Sequence, residues 1–227
     1  MTNKIICGID EVGRGPLAGP VVSAAVVLPR GHNIQGLIDS KKLSPKKRKE
    51  FFEEIVAIAD IGVGMVSRKE IDRINILQAT YLSMKKAFWN LEAKPEKILV
   101  DGFAIPSKSI KSEGIIKGDE KIEEISAASI IAKVIRDKLM DSVDPIFPQY
   151  EFSKNKGYGT KIHMNALFKN KATLIHRRSF SPVKKNLPDK ILSDTLSYKK
   201  LLIQQKKSLD EVNKEIKNWL SLKNVIY

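Results

Sequence analysis

Two rhythms of apolar and polar residues run through this chain. Ile5, Ile6, Cys7, Gly8 and Ile9 form a short continuous apolar run, the pattern of a strand buried on both faces. Gly13, Gly15, Pro16, Gly19 and Pro20 then mark a turn-rich loop. Val21 to Leu28 predicts a second strand, stopped by Pro29, and residues 60–67 a third. Ile98, Leu99 and Val100 predict a fourth that ends at Asp101, and Ile115 with Ile116 a short fifth. Helical spacing fills the intervals. Pro45 opens a helix carrying Phe51, Phe52 and Ile55. Ser67 and Glu70 have capping-box spacing for a short helix. Asn75 caps a longer one, with Leu77, Tyr81, Met84, Phe88 and Leu91 at helical spacing, and Pro95 breaks it. Residues 121–143 predict a long helix with Ile122, Ile125, Ala132, Ile135, Leu139 and Val143 on its apolar face. Its small run Ser126, Ala127, Ala128, Ser129 allows close approach to a sheet. Residues 145–182 read as loop, with a helix at 160–170. Pro182 and Pro188 mark a boundary, and residues 191–222 read as helical throughout. Strands first, with helices interleaved, predict an α/β sheet domain plus a helical C-terminal piece.

Composition narrows the function classes. The 227 residues allow one full domain with an appendage. Lys+Arg number 40 against 26 Asp+Glu, a formal net charge of +14 that favours a polyanionic partner. The surplus is not confined to the tail, since residues after Val183 hold ten lysines against five acids. The single cysteine, Cys7, excludes an internal disulfide. His32, His163 and His176 are too few for a zinc finger or an HExxH site. With no membrane-length apolar run and no signal-peptide pattern, the expected location is a reducing compartment, the cytoplasm, with no membrane association.

Against this basic background, acids follow apolar runs. Asp10 and Glu11 follow Ile9, Asp101 follows Val100, and Asp119 follows Ile115-Ile116-Lys117-Gly118. A carboxylate at the end of a buried strand suffers desolvation unless a cation balances it. Each acid alone also reads as a turn or helix cap. Four together read as oxygen ligands for Mg²⁺ or Mn²⁺. Asp137 and Asp141, among Arg136 and Lys138, read as ordinary surface charges. Gly13-Arg14-Gly15 lies beside the first acids. Its backbone can approach a sugar or phosphate, and Arg14 can pair with a phosphate. Ser40, Lys41 and Lys42, and the segment Lys154 to Lys161, are phosphate-binding candidates. Tyr158, flanked by glycines, reads either as a packed turn aromatic or as an exposed ring that stacks on a sugar or base. His176, Arg177 and Arg178 read as a basic, solvated knot.

The motifs in order resemble ribonuclease HII: DEVGRG at 10–15, DSKKL at 39–43, Asp101-Gly102, KGD at 117–119, AASIIAKVIRD at 127–137, KGYGT at 156–160 and RRSFSPVK at 177–184. The resemblance covers about residues 5–184. It implies an RNase H-like fold, a mixed central β-sheet flanked by helices, with residues 1–184 as the catalytic domain and 185–227 as a helical C-terminal extension. It implies an endonuclease that hydrolyses RNA in RNA–DNA hybrids and nicks duplex DNA at embedded ribonucleotides, leaving 5′-phosphate and 3′-hydroxyl ends. Asp10, Glu11, Asp101 and Asp119 match the family's metal-binding catalytic acids. Gly13, Arg14, Gly15 and Tyr158 match its sensors of the ribose, and Ser40, Lys41 and Lys42 a phosphate-contacting stretch. Two divalent ions with substrate and monomeric action are expected. Two other classes fit the charge: a non-catalytic RNA- or hybrid-binding protein, and a DNA-cutting nuclease of the same fold. The strand-end acids disfavour the first, since without metal they repel phosphate.

Overall fold

Five short β-branched and glycine-containing segments build one sheet in the computed structural model, which describes residues 4–38 and 43–227. They are β1 (Ile6–Val12), β2 (Val21–Val27), β3 (Asp60–Val66), β4 (Lys97–Asp101) and β5 (Glu113–Ile115). The strand order is β3-β2-β1-β4-β5. β1, β2 and β3 pair antiparallel, while β1–β4 and β4–β5 pair parallel. The sheet is therefore mixed, as expected. β1 runs three residues further than the apolar run suggested, so Asp10 and Glu11 lie within the strand rather than beyond it. β5 stops at Ile115, and Ile116 is exposed.

The helices are α1 (Pro45–Ile58), α2 (Arg68–Trp89), α3 (Glu123–Val143), α4 (Phe152–Asn155), α5 (Lys161–Asn170), α6 (Ser181–Lys184), α7 (Lys190–Asp194) and α8 (Leu196–Ser221). Capping chemistry sets their starts. The Ser67 side chain accepts from the Glu70 amide, and Asn75, at φ 66°, accepts from the Gln78 amide at 3.0 Å. Asn75 thus kinks α2 into the two pieces that the capping pattern foretold. The C-terminal region is not one helix. Thr195, extended at ψ 142°, ends α7 and caps α8, because its side chain takes the Tyr198 amide at 3.2 Å. Residues 145–182 hold more helix than loop composition suggested, with α4 and α6 beside α5.

One face of the sheet packs Val22, Ala24 and Val26 against Phe52 and Ile55 of α1 and Ile131 and Ile135 of α3. Val212, Ile216 and Leu220 of α8 join the same core, and Trp219 stacks on Phe52 at 5.4 Å between ring centroids. Cys7, Ile9 and Val100 face the other side, against Met84 and Ala87 of α2. The chain end returns to the sheet edge, where Val63 donates to the Ile226 carbonyl at 2.9 Å beside β3. The position nearest the future site is Gly8. A Cβ there would lie 2.1 Å from the Glu124 carbonyl carbon, so only glycine lets α3 settle onto β1. Among the described residues no helix is long and apolar enough to cross a membrane.

Candidate active site

Parallel pairing of β1 with β4 sets the first feature of the site. The register matches Ile9 with Val100, so the next step brings Asp10 beside Asp101 at the carboxyl ends of two central strands. Asp10 is 5% exposed. Burial pushes its carboxyl well above the usual range, and the charges of Glu11 and Asp101 push it further. A hydrogen bond from Ser129 and the Glu11 amide at 2.7 Å oppose this rise. Burial also raises Glu11, and Asp101 adds to the rise, while Arg14, 3.4 Å away, holds it down. Asp101 accepts the Gly118 amide at 2.7 Å, which ties β4 to the turn Gly118–Glu120. That turn carries Asp119, which is 1% exposed.

These acids suit a hard divalent cation by their chemistry. Their donors are carboxylate oxygens, and the repulsion that Asp10 and Glu11 share with Asp101 is the kind a cation relieves. Among the described residues, however, no three His, Cys, Asp or Glu side chains are gathered as a ready-made metal cage.

The glycine loop borders the acids. Gly13 is buried at φ 98°, whereas Arg14 and Gly15 are exposed. Tyr158 comes to the same place from the far end of the chain. A Cβ on Gly15 would lie 3.6 Å from its ring, and the residue is 40% exposed. The tyrosine is therefore a half-open aromatic against Gly15 rather than a fully packed one. Backbone bonds zip the loops together, with Leu17 N–H to the Gly157 carbonyl at 2.8 Å, Gly19 N–H to Ile175 at 3.0 Å and Arg177 N–H to Leu17 at 2.8 Å. Two histidines brace Tyr158 from below. His163 Nδ1 lies 2.9 Å from the Tyr158 carbonyl and its Nε2 lies 3.0 Å from Nε2 of His176. His176 Nδ1 accepts the Thr173 amide at 3.0 Å.

The basic residues divide into two kinds. Lys154 is exposed and pairs with Glu151 at 2.9 Å, while Lys156 is tied to Asp141. Asp137 pairs with Lys133 at 2.8 Å, so both acids of this helix face act as ordinary partners of lysines. Ser40, Lys41 and Lys42 lie outside the described residues. The expected solvated knot at 176–178 is not one, because His176 and Arg177 are fully buried. Arg177 turns inward because it has carbonyls to bind there, from Gly13, Arg14, Gly19 and Pro20.

Sequence reasoning also passed over Arg136 and Ser129. Arg136 is fully buried on α3. Its signal was the inward row Ala132, Arg136, Met140 at i, i+4 spacing, an arginine among residues that should face the sheet. Ser129 was visible only as a small residue.

The Ribonuclease HII family model matches residues 7–183. The chain is 52% identical over 182 residues to "Ribonuclease HII" of Lactobacillus gasseri, which covers 80% of this chain and 72% of the relative. Among solved structures, the ribonuclease H2 of Pyrococcus horikoshii OT3 is similar with a TM-score of 0.66 and 30% identity, covering 79% of this chain and 95% of that one. Bst-RNase HIII, solved in complex with Mn²⁺, shares the fold with a TM-score of 0.69 at 20% identity, covering 81% of this chain and 69% of that one. The paired strand-end acids and this family match together make the chain a member of the ribonuclease HII family, a divalent-metal-dependent endonuclease acting on the RNA of RNA–DNA hybrids.

Proposed function

We propose that this ribonuclease also nicks duplex DNA at single embedded ribonucleotides, by two-metal-ion hydrolysis that leaves 5′-phosphate and 3′-hydroxyl ends. Asp10, Glu11, Asp101 and Asp119 hold the ions, either Mg²⁺ or Mn²⁺, as hard oxygen donors. Bound there, two such ions supply activation of water and stabilisation of the leaving oxygen. The chain's own residues do the selecting. Gly13, Arg14 and Gly15 present backbone and guanidinium to the sugar-phosphate, and Tyr158 offers a hydroxyl and a ring face beside Gly15. Ser40, Lys41 and Lys42 grip a neighbouring phosphate. A reader built around a hydroxyl rejects the deoxy sugar, because its own polar groups are then left unpaired. Residues 1–184 form the catalytic domain, 185–227 are an extension packed on it, and the enzyme acts as a monomer in the cytoplasm.

The single observation that carries this reading is the approach of the Tyr158 ring to Gly15, 3.6 Å from where a Cβ there would lie, on the loop that follows Asp10 and Glu11. It supports reading Tyr158 and the Gly13-Arg14-Gly15 stretch as one recognition element. The test is a labelled DNA duplex with one ribonucleotide, incubated with Mg²⁺ or Mn²⁺. Nicking there with the stated ends, blocked by EDTA and absent from the all-DNA duplex, is expected. Cleavage of all-DNA duplex, or of long hybrids alone, overturns the proposal.

A further inference from the structure

Arg136 and Arg177 are both fully buried, and among the described residues neither has a carboxylate at ion-pair distance. Burial without a counter-charge is unusual for a guanidinium. Their partners are backbone carbonyls. Arg136 donates to Pro20 at 3.0 Å, Lys156 at 2.9 Å and Ala18 at 3.1 Å. Arg177 donates to Gly19 at 3.0 Å, Arg14 at 2.9 Å, Gly13 at 2.5 Å and Pro20 at 3.2 Å. Five carbonyls of the 13–20 loop thus point inward onto two forks, together with the carbonyl of Lys156 beside Tyr158. The Leu17 and Gly19 amides of the same loop are donated to the Gly157 and Ile175 carbonyls, so its backbone is held from both sides.

The glycines take on a different meaning from this side. A Cβ on Gly13 would lie 2.3 Å from Nε of Arg136, and one on Gly19 would lie 3.4 Å from its guanidinium. Gly13 is thus required by the arginine beneath it, whatever binds above. Arg136 also lies 6.0 Å from the centre of the Tyr158 ring. Burial lowers Arg136 to about 10 and Arg177 to about 9, the latter also through the charge of the former. Both remain charged at neutral pH.

We propose that Arg136 and Arg177 are positioning residues for ribonucleotide recognition, a buried guanidinium pair that fixes the 13–20 loop and the Tyr158 segment as one unit beside Asp10. This rests on the reading that Gly13, Arg14, Gly15 and Tyr158 recognise the sugar. Lysine cannot replace the forks, since a point charge with three rotating donors does not hold several carbonyls in one plane.

The experiment is steady-state cleavage of a DNA duplex containing one ribonucleotide, by wild type, Arg136→Lys, Arg177→Lys, Tyr158→Phe and the Arg177→Lys/Tyr158→Phe double variant. Thermal melting and Mn²⁺ titration are run on each protein. Each arginine variant is expected to melt lower, because buried carbonyls lose donors, and, assayed well below its melting transition, to lose about 10²-fold in kcat as a misplaced reacting group does, while Mn²⁺ binding stays close to wild type. The double variant is expected to lose much less than the product of the single losses, because both changes act through one unit. Multiplicative losses, or arginine variants with normal kcat, overturn the proposal. Failure of both lysine variants to fold also overturns it, by assigning the pair to stability alone. Should wild type itself leave this duplex uncut while cutting long hybrid, the sugar-reading function fails instead, and the two failures stay distinct.

Discussion

The strand ends that carry Asp10 and Asp101 bury charge in one way, and the loops held by Arg136 and Arg177 in another. The acids stand side by side on adjacent parallel strands and repel one another, so burial and neighbours both drive Asp10 toward its neutral form. The arginines are buried deeper but are satisfied, each by several carbonyls. The first region is left under electrostatic tension that an added cation relieves, and the second is complete in itself. The difference separates the part of the site that awaits its charge from the part that holds its shape.

Breaking the acid side is expected to have the largest effect. Asp101→Asn removes a carboxylate while keeping an oxygen that can still accept the Gly118 amide. Cleavage of RNA–DNA hybrid should fall by at least about 10⁴-fold with duplex binding retained, as for loss of a group used only in the chemical step. Near-normal turnover in a gel assay would falsify the assignment of this acid.

On the loop side, Tyr158→Ala should reduce nicking at one embedded ribonucleotide by about 10²-fold or more. The residue is 40% exposed, so melting temperature should move little. A protein that loses stability instead, with unchanged activity per folded molecule, would make Tyr158 a packing residue.

The two regions were not equally legible in the sequence. Carboxylates after apolar runs stand out in a chain of net charge +14, so Asp10, Glu11, Asp101 and Asp119 could be picked out one by one. Most elements were also readable, since valine-rich runs and capping side chains act locally. The break at Thr195 was missed because helical spacing continues on both sides of it, and only the cap geometry marks the interruption. Arg177 was misread for a physical reason. Three basic residues in a row normally stay solvated, and the carbonyls that draw Arg177 inward come from residues more than 150 positions away. Long-range backbone acceptors leave no trace beside the residue they bury.

The histidines beneath Tyr158 give the comparison a pH axis. Burial lowers His176 to about 3, helped by the neighbouring His163, which burial also lowers. Above the unfolded value of about 6.5 both states are neutral and stability is complete. As pH falls below it, the unfolded chain binds the proton first, so stability drops by about 1.4 kcal/mol per pH unit from His176. A proton on its Nδ1 would also face the Thr173 amide, donor against donor. Urea unfolding at pH 7.5 and 5.0 should show a change in wild type that is less favourable than that in His176→Asn by about 2 kcal/mol, the raised carboxyls of Asp10 and Glu11 acting the other way in both proteins. Equal changes in both proteins would remove His176 as the source.

The mildest change sharpens the contrast among the cations themselves. Lys154 is an exposed lysine paired with one carboxylate, in the same basic segment as Tyr158. A surface cation that meets a phosphate contributes through counterion release, not geometry. Lys154→Ala should therefore weaken duplex binding only a few-fold at moderate salt and lower the slope of log K against log salt by about 0.9 at most. The paired Glu151 already neutralises part of that charge, which keeps the slope change below this ceiling. Cleavage at saturating substrate should stay unchanged, whereas Arg177→Lys, which keeps its charge, should leave the slope alone and lose turnover. Fluorescence anisotropy between 50 and 200 mM salt, beside single-turnover cleavage, reads both quantities. A slope change in Arg177→Lys with turnover intact would put that arginine among the phosphate contacts and erase the distinction between held shape and available charge.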